Sequence, residues 1–78
     1  MQPDDIKHMI ENGLPGARVS VTGDGRHFEA EVVSAAFRGK NMLEQHRMVY
    51  QALGDKMRAE IHALSLRTLL PEPSASGR

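Results

Sequence analysis

Val19-Ser20-Val21-Thr22-Gly23-Asp24-Gly25-Arg26-His27-Phe28-Glu29-Ala30-Glu31-Val32-Val33 is the stretch that decides the fold. Its two flanks alternate apolar and polar residues with the period of two that a half-buried strand requires. Between them stands Gly-Asp-Gly, where glycine accepts positive φ and aspartate tolerates it. The pattern predicts an antiparallel hairpin. Its first strand covers Ala17–Thr22, with Val19 and Val21 on one face. Its second covers His27–Ala35, with Phe28, Ala30 and Val32 set against Glu29, Glu31 and Val33.

Upstream, Pro3 to Asn12 reads as a helix. Proline suits a first helical position because its missing N–H had no intrahelical partner there. Asp4 and Asp5 follow, opposing the positive end of the helix dipole. Ile6, Met9, Ile10 and Leu14 recur at helical spacing, and Gly13 marks the stop. Downstream, Ala36-Phe37-Arg38-Gly39-Lys40 is a connection. Asn41 is then a candidate N-cap, with Glu44 at the third helical position to complete a capping box. This second helix runs to about Leu53, with Met42, His46, Val49, Tyr50 and Leu53 on one face and Glu44, Arg47 and Gln51 toward water. Gly54 ends it, and Asp55–Glu60 reads as a short helical turn. Ile61–Leu69 reads as a third strand, with Leu64 and Leu66 on one face and Ala63, Ser65 and Arg67 on the other. The expected core is Ile6, Met9, Ile10, Val21, Phe28, Val32, Val49, Leu53 and Leu64.

The order predicts an α/β (α+β) fold of αββαβ type. A three-stranded mixed sheet carries helices on one face, and its crossover should be right-handed. Residues 1–70 form one domain, and 71–78, rich in proline and serine, read as a disordered tail.

The chain has 78 residues, of which Leu, Ile, Val and Phe make up 17. A chain this short buries only about 60–65% of its unfolded surface, so its core is thin. Ten Lys+Arg balance ten Asp+Glu, which excludes the broad basic field of a tight non-specific nucleic-acid binder. There is no cysteine, hence no disulfide, no thiolate nucleophile and no metal site built from the chain's own thiolates. The acidic start Met1-Gln2-Pro3-Asp4-Asp5 does not fit a secretory signal, and no apolar run is long enough to span a membrane. The expected location is the cytoplasm.

Nothing in the pattern supplies an enzyme. There is no nucleophile elbow, and Gly23-Asp24-Gly25 leads into a strand rather than into the helix of a phosphate loop. Asp4-Asp5 and Glu29/Glu31 read as a helix start and a solvated strand face. Four histidines remain. His8 lies on the first helix, and His46 packs on the second. His27 stands beside the hairpin tip, and His62 stands at the start of the third strand. Such strand ends project side chains from a rigid sheet toward partners. Spacing alone assigns neither of these two to a site. His27 and Glu29, two apart on a strand, could also bind a divalent cation on one face.

Taken together, these segments resemble the BolA family of small proteins over roughly Ile6 to Pro71. The residues that carry the resemblance are Val19–Phe28, then Val32-Val33-Ser34-Ala35-Ala36-Phe37-Arg38-Gly39-Lys40, then Gln45-His46-Arg47-Met48-Val49-Tyr50, and finally Ile61-His62-Ala63-Leu64-Ser65-Leu66. The resemblance implies a fold similar to a type II KH domain. It also implies a monothiol glutaredoxin partner with which a [2Fe–2S] cluster is shared. In such a heterodimer the glutaredoxin cysteine and a bound glutathione ligate from one side. Two residues of the BolA side ligate from the other. His62 matches the histidine at the start of the last strand, and His27 matches the ligand from the loop between the first two strands. The isolated chain would bind no cofactor and would be a monomer, becoming a heterodimer with its partner. Many family members continue into a further helical segment where this chain reads Pro71-Glu72-Pro73-Ser74-Ala75-Ser76-Gly77-Arg78.

The composition agrees with a shared cluster. Two irons need four terminal ligands; with no cysteine in the chain, the two histidines His62 and His27 could supply at most one iron's pair, and the rest must come from elsewhere. Imidazole in place of thiolate raises the reduction potential and makes the site proton-sensitive. The rival reading is nucleic-acid binding by a transcriptional regulator. Its surface would be the second helix and the loop before it, with Arg38, Lys40 and Arg47. That loop lacks the Gly-x-x-Gly clamp of a KH domain, and the expected DNA affinity is weak.

Overall fold

A computed structural model describes residues 2–57 and 63–71. Helix α1 (Pro3–Gly13) leads to β1 (Arg18–Gly23) and β2 (Phe28–Val33). A 3-10 turn (Ala35–Phe37) precedes α2 (Met42–Leu53), a second 3-10 turn covers Gly54–Met57, and β3 (Leu64–Leu69) closes the order. The sheet order is β1-β2-β3, with β1 antiparallel to β2 and β2 parallel to β3. This is the three-stranded mixed sheet that the alternation and element order predict.

Both helix starts follow from local chemistry. The Asp5 carboxylate accepts the Gln2 N–H at 2.9 Å, ahead of Pro3. At α2, Asn41 Oδ1 accepts the Glu44 N–H at 2.8 Å, and Glu44 Oε1 accepts the Asn41 N–H at 2.9 Å. This reciprocal pair satisfies two backbone donors that a bare helix end would leave open. Gly54, at φ +61, ends α2 in a backbone region that other residues rarely adopt.

The core lies between the helices and one sheet face. Ile6, Ile10, Phe28, Val32, Phe37, Val49 and Leu53 are almost fully buried. The opposite face is solvated and forms three rows across the strands. They are Arg18–Val33–Leu69, Ser20–Glu31–Arg67 and Thr22–Glu29–Ser65. Arg67 and Glu31 form a loose surface ion pair at 3.7 Å.

Several expectations need correction. Met9 and Val21 are only partly buried. Val21 lies toward the tip of β1, an edge strand with a neighbour on one side only. Met42 shares the spacing of Val49 and Leu53 but is 66% exposed, because the first turn of α2 runs past the packed core. Phe37, read as part of a connection, is completely buried in the 3-10 turn. Ser34 starts that turn by accepting the Ala36 N–H on its hydroxyl, which ends β2 two residues before Ala35. Ala63, expected to face outward, is buried. The expected short helical turn is the 3-10 segment Gly54–Met57, and its continuation over 58–60 lies outside the described residues. So do 61–62 of the expected third strand and 72–78 of the expected tail.

Candidate functional site

The hairpin tip is organised by one carboxylate. Asp24 Oδ1 accepts the backbone N–H of Arg26 at 2.8 Å and that of His27 at 2.9 Å. The Asp24 N–H donates in turn to the His27 carbonyl at 3.2 Å. Both backbone polar groups of His27 are therefore fixed by one residue. Gly25, at φ +95, gives the chain the reversal this ring requires. These donors hold the Asp24 carboxyl below its ordinary pKa. The His27 N–H contributes most and the Arg26 N–H next, because both stabilise the ionised form.

On the other side of His27, Phe28 is 1% exposed and anchors the start of β2 in the core. The His27 side chain is thus exposed on a backbone held from both directions. Its imidazole makes no hydrogen bond to another described residue. The β2–β3 register pairs Phe28 with Leu64. The starts of two parallel strands therefore lie side by side, with His27 directly before one. His62 itself lies outside the described residues; along the chain it is joined to Leu64 through Ala63 alone.

The remaining histidines have other surroundings. His8 is exposed on α1. His46 is half-buried and stacks edge-on against Tyr50, with ring centroids 6.4 Å apart. Among the described residues, no three His, Asp or Glu side chains gather as a metal site. The pair His27 and Glu29 therefore acquires no third ligand there. The His27 imidazole is exposed and lies near enough to Asp24 to add the weakest contribution to its lowered pKa; the chain has no cysteine to set a thiolate beside it.

Of the basic candidates, Arg38, Lys40 and Arg47 are all exposed. Lys40 and Arg47 border one shallow depression that also holds Glu44, and Arg38 does not line it. The Asp24 clamp and a second feature, Gln45, are absent from the sequence reading. Gln45 accepts the Thr68 hydroxyl at 2.6 Å and donates to the Lys40 carbonyl at 2.8 Å, tying α2 to β3. The Gly-Asp-Gly turn was the available signal for the first. Nothing local signals the second, which spans 23 positions.

No helix among the described residues is long and apolar enough to cross a membrane. SufE-like protein 1, chloroplastic/mitochondrial, of Arabidopsis thaliana is 33% identical over 91% of this chain. The chain spans 19% of that protein's length and 47% of Protein BOLA2 from the same plant. These relatives' names include organellar ones, so the cytoplasmic expectation does not follow from kinship. The DNA-binding transcriptional regulator BolA of Escherichia coli is 39% identical over 59% of this chain and 44% of its own length. A BolA protein homologue from Coxiella burnetii has a similar structure, with a TM-score of 0.82 at 49% identity, covering 96% of this chain and 97% of that one. A sequence profile described as BolA-like protein matches residues 6–73, most of the chain, and the chain belongs to that family.

Proposed function

We propose that this protein is the histidine-supplying half of a complex with a monothiol glutaredoxin, in which His62 and His27 co-ligate a [2Fe–2S] cluster. The observation that carries the reading is the hairpin tip: an exposed imidazole on a clamped backbone, beside the start of the strand that His62 precedes. A ligand held this way loses little freedom on binding. The cluster would supply electron-transfer capacity, tuned upward in potential by imidazole ligation. The chain's own contribution would be two imidazole ligands, with the thiolate pair left to glutaredoxin and glutathione. The reading assigns no catalysis to this chain.

Titration into a monothiol glutaredoxin loaded with a glutathione-ligated [2Fe–2S] cluster tests it. Native mass spectrometry should show a one-to-one heterodimer replacing the glutaredoxin homodimer, with the cluster and one glutathione retained. A homodimer that persists at excess of this protein contradicts the reading.

A second reading, nucleic-acid binding, is favoured by the depression shared by Lys40 and Arg47 and by the name of the Escherichia coli relative. Glu44 in the same depression and the zero net charge weigh against it.

A further inference from the structure

Three large apolar side chains stand exposed among the described residues: Met42 at 66%, Leu43 at 60% and Leu70 at 45%. They gather at one end of the molecule. β2 and β3 are parallel, so both finish at the end away from His27. β2 leads through the 3-10 turn to α2, which begins with Met42 and Leu43, and β3 leads directly into Leu70. The Ser34 N–H donates to the Leu69 carbonyl at 3.1 Å, and Gln45 bridges Thr68 and the Lys40 carbonyl. These bonds hold the ends of β2 and β3 and the start of α2 together at that end of the molecule.

Single apolar residues scattered over a surface need no explanation, but their concentration in one place does. The Asn41–Glu44 capping box fixes the turn that carries Met42 and Leu43, so the pair is presented on ordered backbone. The surrounding charge is mainly positive. Arg38 and Lys40 are exposed just ahead of the pair, and Arg47 follows Leu43 by one helical turn. None of the three forms an ion pair with another described residue. The one acid among them, Glu44, has a carboxylate oxygen engaged by the Asn41 N–H.

We propose that this end of the molecule docks a partner protein through a short amphipathic segment, an apolar anchor flanked by acidic residues. Charge complementarity selects the acidic flanks. The exposed Met and Leu select protein over nucleic acid, because phosphate contacts gain nothing from them. Methionine, flexible and polarisable, adapts to such anchors. The surface is remote from His27, so it stands independently of the cluster reading.

The test uses a fluorescein-labelled peptide of alternating Leu and Glu as probe. An all-Glu peptide of equal length and a short DNA duplex serve as comparisons. Amide shifts map the contact. The Leu/Glu peptide should bind and shift Lys40, Met42, Leu43 and Leu70, leaving Arg26 and His27 unmoved. The double variant Met42→Ser/Leu43→Ser, exposed and so expected to fold as the parent, should weaken binding by about tenfold or more. Lys40→Glu should weaken it and favour a Leu/Lys peptide instead. Equal binding of the all-Glu peptide would reduce the surface to charge alone and overturn the proposal. So would tighter binding of the duplex, the absence of any binding, or affinities unchanged in both variants.

Discussion

Asp24 illustrates what one residue can do at a turn. Its carboxylate holds two backbone donors, and His27 is positioned as a consequence. The Gly-Asp-Gly pattern made the turn legible in the sequence. Which amides the carboxylate accepts depends on the path of the chain, and no local spacing encodes that. Because the folded carboxyl lies below its ordinary pKa, the folded state binds that proton more weakly than the unfolded chain. The turn's contribution is therefore complete above the ordinary carboxylate value and is lost as pH falls through the lowered one. Hydrogen exchange at the Arg26 and His27 amides, by NMR, should accelerate across that acidic window relative to other residues. Asp24→Ala should show the faster exchange already at neutral pH. Gly23 makes a second residue-scale case. A Cβ there would come within 2.5 Å of the His27 carbonyl oxygen and 2.7 Å of Phe28 Cδ1. Gly23→Ala should cost about 1–3 kcal/mol in urea unfolding; an unchanged midpoint would mean that the tip can relax freely.

At the level of elements, the helices and strands were legible because each carries its own periodicity or cap. Asn41 and Glu44 form the reciprocal cap that their spacing predicts. The failures came where burial is decided by distant neighbours. Phe37 sits in a non-periodic stretch, yet the 3-10 turn delivers it to the core. Met42 has the right spacing but overhangs the packed region. Gln45 looked like an ordinary helix-surface residue and instead clamps α2 to β3. Gln45→Ala would leave the buried Thr68 hydroxyl without its partner, at a cost of about 1–3 kcal/mol. Thr68→Val added to it should recover part of that loss, since both polar partners are then gone. Chemical denaturation of the two variants measures the difference.

For the whole molecule, the parallel β2–β3 register has the largest consequence. It places His27 at one end of the sheet and the exposed, basic-flanked Met42, Leu43 and Leu70 toward the other. The sequence contains both sets of residues, but their separation is visible only once the strands are paired. The same view orders the two functional readings. With no net charge and Glu44 beside Lys40 and Arg47, duplex DNA should bind only in the micromolar range, about 10⁻⁶ M or weaker, and release steeply with salt. Nanomolar, sequence-selective binding lost on Lys40→Ala or Arg47→Ala would reverse that order. The most direct measurement of the cluster reading is visible circular dichroism of the complex with cluster-loaded monothiol glutaredoxin. It should be recorded for the parent, His62→Ala and His27→Ala, with His8→Ala and His46→Ala as controls. The parent should change the glutaredoxin spectrum as imidazole replaces thiolate. His62→Ala should abolish that change, His27→Ala should weaken it, and the two controls should match the parent. A His62→Ala protein that gives the parent spectrum at full cluster occupancy would contradict the proposed ligand set.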